Sequence, residues 1–106
     1  MTTKFKITVV HKGAVNSHYV GRPTPLGNPF WMQVEYMRDQ VCNQYEEWFA
    51  QQVANGEPNL MNQLNQLWEL GQHQGYLKLA CHCAPKRCHA NTIAAYFKYL
   101  MDSDAN

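Results

Sequence analysis

Residues 75–93 read GYLKLACHCAPKRCHANTI, and within them a period of two gives way to a helical one. Leu77, Leu79, Cys81 and Cys83 alternate with their neighbours, which predicts a strand over 75–82 with one face on a core. A helix is expected from about His89 to Met101, burying Ile93, Phe97, Leu100 and Met101 at helical spacing. A strand that runs straight into a helix through a short, soft turn is the unit from which α/β proteins are built.

Working outward, KFKITVVH (4–11) sends Phe5, Ile7 and Val9 one way and Lys4, Lys6 and Thr8 the other, a second strand signal. KGAVNSHYV (12–20) reads as a turn with a short strand ending at Val20. GRPTPLGNPF (21–30) holds three prolines and two glycines, a density that no regular element survives, and is expected as an ordered loop. From Arg38 to Ala54 the apolar positions Val41, Tyr45, Trp48, Phe49 and Val53 form a helical stripe. NGEP (55–58) stops that helix, and Asn59 is expected to cap a second one with stripe Leu60, Leu64, Leu67 and Trp68, closing at Gly71.

Strand, loop, two helices, strand, helix is the order of a parallel crossover, because parallel strands need a long connection. The prediction is therefore one α/β domain over 1–106: a small Rossmann-like sheet with a parallel crossover and three helices. Ligands in such folds sit at the carboxyl ends of strands beside helix N-termini, where the cysteine-rich turn falls.

Composition bounds the function. The chain has 106 residues, 45% apolar and 16% charged, with formal net charge +1, which gives no bulk electrostatic case for nucleic acid or membrane. No apolar run approaches the roughly 20 residues of a membrane span, and MTTKFKITVV lacks the apolar core of a signal peptide. The expectation is a cytoplasmic protein, so the four cysteines are read as thiols, metal ligands or catalysts ahead of disulfides.

Two blocks, YVGRPTPLGNPF (19–30) and LACHCAPKRCHANTI (79–93), resemble the signatures of a family of small phage and bacterial proteins catalogued as a domain of unknown function. That family carries a VGRPSPLGNPF-like block near its start and a C-x-C-x-P-x-x-C-H-G-like block near its end. QYEEWF (44–49) and LNQLWELG (64–71) sit in its helical middle. His82 stands where the family usually has an aromatic, and Ala90 where it usually has glycine. The resemblance implies a phage or bacterial setting, hence a host cytoplasm if phage-encoded, and implies no reaction.

Several chemistries compete for the cysteine cluster. Cys81, Cys83, Cys88 and His89 make the Cys3His count of a structural zinc site, against which stand the tight C-x-C spacing and the adjacent Cys88–His89 pair. Cys88 at a helix N-terminus, beside Lys86, Arg87 and His89, instead suits a thiolate nucleophile with His89 as proton partner and Cys83 as second candidate. Those same groups make an anion pocket without covalent chemistry. Cys81 and Arg87 are spaced as C-x5-R, the phosphatase pattern, but Pro85 removes a backbone N–H that such a loop needs. Plain packing accounts equally for Cys81 and Cys83, and better for Cys42.

In the loop, Arg22 suits bidentate recognition of phosphate or carboxylate, and Asn28, between Gly27 and Pro29, has the donor and acceptor to read a base or an amide. Phe30 and Trp31 either stack on a base or anchor the loop. The expectation is a cleft for a phosphorylated small molecule, nucleotide-like, with Arg22, Gly27, Asn28, Lys86 and Arg87 binding it. Any hydrolysis or group transfer would fall to Cys88, His89 and Cys83, with no cofactor. The alternative is a non-enzymatic module in which zinc on Cys81, Cys83, Cys88 and His89 supports a surface for a host protein or nucleic acid.

Overall fold

A computed structural model describes residues 4–104 of the chain. Strands β1 (Lys6–His11), β2 (His18–Tyr19) and β3 (Tyr76–Cys81) form a three-stranded sheet in the order β1-β3-β2. Both pairings are parallel, with Ile7 opposite Leu77, Val9 opposite Leu79 and Tyr19 opposite Ala80. Helices α1 (Arg38–Asn55) and α2 (Pro58–Gln74) fill the connection from β2 to β3, and α3 (His89–Asp104) follows β3. The α/β class, the parallel crossover and the three helices agree with the sequence reading.

One connection departs from the usual rule. Residues 12–17 carry the chain from β1 to β2 across the end of β3, without the helix that a parallel crossover normally needs. The route is short because β2 is short: His11 is level with Cys81, and His18 re-enters opposite Leu79. The Lys12 N–H donates to the Cys81 carbonyl at 3.0 Å, and Gly13 (φ 96°) and Asn16 (φ 58°) supply the left-handed turns.

β3 is the central strand, so it is buried on both faces at its far end: Leu77, Leu79, Ala80 and Cys81 are all inside. Leu77, Leu79 and Cys81 join Phe5, Ile7, Tyr45, Phe49, Leu60, Leu64, Leu67, Ile93 and Phe97 in one core. Apolar burial on this scale is the main term favouring the folded chain, at about 25 cal/mol per Å² removed from water.

The ends of α2 correct two expectations. Its cap is Glu57, not Asn59: the Glu57 carboxylate accepts from the Leu60 N–H at 2.8 Å, and Pro58 takes the first helical position, where no N–H is needed. Nor does the helix stop at Gly71. It continues to Gln74 and closes at Gly75 (φ 84°), while Gly71 lies buried against the Phe5 ring with no room for a Cβ. No helix among the described residues is long and apolar enough to cross a membrane.

Candidate functional site

At the carboxyl end of the sheet, the proline-rich loop and the cysteine-rich turn meet across a cavity of about 120 Å³. Val20, buried at the end of β2, leads into a loop whose folding is set by two helices. The Tyr45 hydroxyl on α1 donates to the Leu26 carbonyl at 2.7 Å, and the Leu26 N–H donates to Gln63 Oε1 on α2 at 2.9 Å. Leu26 itself is fully buried. The loop is thus a fixed wall.

That wall presents Arg22 and Asn28 to the cavity. The Arg22 guanidinium lies 3.6 Å from the centroid of the Trp31 ring, whose residue is 72% exposed, so the aromatic holds the cation at the mouth. Gly27 does not line the cavity. It lies directly behind Arg22, where a Cβ would stand 2.8 Å from the Arg22 backbone nitrogen, so its role is to let the loop close. Asn28 Oδ1 accepts from the Phe30 N–H at 2.8 Å, which orients the side chain and leaves its amide N–H groups as the free donors.

His89 forms the floor. It is 9% exposed, and its Nε2 lies 2.9 Å from the Val20 carbonyl, which can only accept, so Nε2 carries the proton. Burial lowers the pKa below that of an ordinary histidine, outweighing the Val20 bond, and the Arg22 charge lowers it further. A neutral ring protonated at Nε2 has a bare lone pair at Nδ1. The Tyr45 ring meets His89 edge-on at 5.2 Å and fixes the plane.

The basic residues of the turn are placed differently from expectation. Lys86 is exposed, 3.5 Å from a Glu35 carboxylate oxygen, and does not line the cavity. Arg87 touches the rim, but its guanidinium serves α1, donating to Asp39 at 2.9 Å, Asn43 at 2.9 Å and Glu46 at 3.1 Å. It cannot act as the arginine of a C-x5-R phosphate loop from there. Both residues are corrected from ligand groups to surface partners of the α1 region, because side chains more than forty positions upstream reach them.

The cysteines are also rearranged. Cys81, at the end of β3, and Cys88, just before α3, are joined as a disulfide closed by the turn between them. Cys88 is 3% exposed, and its N–H donates to Asn91 Oδ1 at 2.8 Å, the backward half of a capping box. Its expected role as an accessible thiolate at the helix N-terminus is therefore corrected. Preferring thiols from compartment alone missed this pairing. Cys83 and Cys42 are the free cysteines, Cys42 being buried and Cys83 half-buried. All four cysteines line the cavity. Burial pushes the Cys42 thiol above its usual value.

The four donors of the zinc alternative do not gather. Cys81 and Cys88 are bonded to each other, and His89 gives Nε2 to Val20. Among the described residues no group of three or more histidine, cysteine, aspartate or glutamate side chains is arranged to hold a metal ion.

Arg38 is the site residue that sequence reasoning missed. The first residue of α1, it lines the cavity beside Cys83 and donates to the Arg87 carbonyl at 2.9 Å. Its other nitrogens grip Glu35 at 2.8 and 2.7 Å, holding that exposed carboxyl down to about 2. The Glu35–Arg38 spacing, i to i+3 at a helix start, was the one available signal. Of the three arginines lining the cavity, Arg22 alone has no carboxylate partner among the described residues.

The model of the family described as Domain of unknown function (DUF4326) matches residues 6–99. No curated protein and no solved structure matches the chain.

Proposed function

The chain belongs to this family, whose description carries no reaction, and we propose from the chemistry of the cavity that it binds a small anionic molecule of nucleotide type. Arg22 carries the reading. A guanidinium at the mouth of a cavity, stacked on an aromatic and free of carboxylate partners among the described residues, is a charge held ready for an anion from outside. Behind it the cavity has apolar walls from Phe30, Met32 and Val41, and polar groups at Asn28 and His89, the usual composition of a small-molecule site. The setting that goes with this reading is a bacterial cytoplasm, or that of a phage-infected host, where such anions are plentiful.

Binding stands without a covalent step. Should the protein also hydrolyse its ligand or transfer a group from it, the thiol placed for that work is Cys83, free, half-buried and lining the cavity with Arg38, in place of Cys88. Calorimetric titration with nucleoside monophosphates and inorganic phosphate tests the reading. Binding should occur, and Arg22→Lys should weaken it about tenfold with unchanged melting, since lysine lacks the planar two-point contact. Equal affinity in the variant would reduce Arg22 to a surface charge.

A further inference from the structure

The cavity has a size and a polar edge, and together they narrow the ligand. This step rests on the anion-binding reading above. About 120 Å³ is of the order of the roughly 150 Å³ of a closed protein cavity that holds a benzene ring, so the part of a base that this open cleft can enclose is a single six-membered ring. A fused bicyclic base would have to leave its second ring outside the walls.

The edge follows from which atoms are already occupied. Asn28 has given its oxygen to the Phe30 N–H, so it faces the cavity as a donor. His89 has given its Nε2 proton to the Val20 carbonyl, so it faces the cavity as an acceptor through Nδ1. Neither group can exchange roles without breaking a bond that holds its own wall. The complement is a carbonyl oxygen for Asn28 beside an N–H for His89.

We infer that the cavity selects a single-ring base bearing a carbonyl next to an N–H, of uracil or nicotinamide type, with its phosphate at Arg22. Cytosine is the informative contrast. It has the same size, but its ring nitrogen N3 carries a lone pair where uracil carries N–H, and would point that lone pair at another on His89. A purine would leave its second ring at the open mouth, without the enclosure that a single ring gains. A buried polar group left facing the wrong partner loses more than the bond itself, which is why edge complementarity discriminates so well.

The experiment is a calorimetric panel on the wild-type chain with UMP, nicotinamide mononucleotide, CMP, AMP, GMP and inorganic phosphate. UMP or nicotinamide mononucleotide should bind about tenfold or more tighter than the other four, and whichever does so identifies the source of the edge. Asn28→Asp keeps an oxygen for Phe30 but removes the donor, and should cost the preferred nucleotide about tenfold with unchanged melting. If CMP, AMP or GMP matches the better of the two, the inference is overturned while the anion-binding reading stands. Binding of inorganic phosphate alone has the same meaning. If nothing binds, both are overturned.

Discussion

The hydroxyl of Tyr45, on the buried face of α1, donates to the carbonyl of Leu26 at 2.7 Å, and this bond fastens the ligand-facing loop to the core. The Tyr45 side chain is fully buried, so water cannot replace the bond if it is lost. Tyr45→Phe should therefore cost about 1–3 kcal/mol, mostly from the stranded Leu26 carbonyl. Urea denaturation would read this as a lower midpoint at unchanged slope. A variant as stable as wild type would mean the loop is held without Tyr45.

Acid should weaken the fold through His89. Its folded pKa is lowered by burial, whereas the unfolded ring titrates near the ordinary value of about 6.5. Below that value the unfolded chain takes up a proton that the folded chain resists. The contribution is thus complete above about pH 6.5 and is lost as pH falls through the depressed folded value. Melting temperatures between pH 5 and 8 should show the decline, and His89→Gln, which keeps a donor for Val20 and does not titrate, should flatten it. An equally steep profile in the variant would assign the effect to another group.

The free thiols should separate by access. Iodoacetamide on the native protein at neutral pH should label Cys83 first and Cys42 slowly, since Cys42 is buried and its thiol is harder to ionise. Cys81 and Cys88 should stay unlabelled until reductant and denaturant are both present. Peptide mass analysis gives the order directly, and Cys42 reacting as fast as Cys83 would contradict the placement of both.

Gly27 should prove indispensable to binding while contributing little to the core. A Cβ there would press on the Arg22 backbone, so Gly27→Ala must open the loop and carry Arg22 off the Trp31 ring. Affinity for a nucleoside monophosphate should drop about tenfold or more, while far-ultraviolet dichroism stays unchanged. Retained affinity would show that the loop closes without the glycine.

The sequence carried the fold further than the site, for a physical reason. Hydrophobic period is local, so β1, β3 and the apolar stripes of all three helices could be read along the chain. Helix ends were less legible: Asn59 has the better capping propensity, yet Glu57 precedes a proline that fixes the first turn, and Gly71 reads as a stop although its bareness serves the Phe5 ring. Arg22, Asn28 and His89 line one cavity, and loop rigidity and strand order are the sequence signals that point to it. Lys86 and Arg87 were misassigned because their partners Glu35, Asp39 and Glu46 lie far upstream. Nothing local to a basic side chain tells which distant carboxylate will occupy it.

The strand order has a consequence for how the chain is made. β1 and β2 pair only with β3 among the described strands, and more than fifty residues separate Tyr19 from Tyr76. During synthesis, at about 5–20 residues per second, the first two strands leave the ribosome several seconds ahead of their shared partner. In that interval α1 and α2 can form as a local helical pair, whereas KITVVH has unsatisfied backbone on both sides and an apolar face without cover. A newborn chain stalled before residue 76 therefore exposes the apolar face of β1, which the finished protein covers, together with an edge that β3 later pairs. The lysines at 4, 6 and 12 are the charges nearest to keep such strands from finding one another.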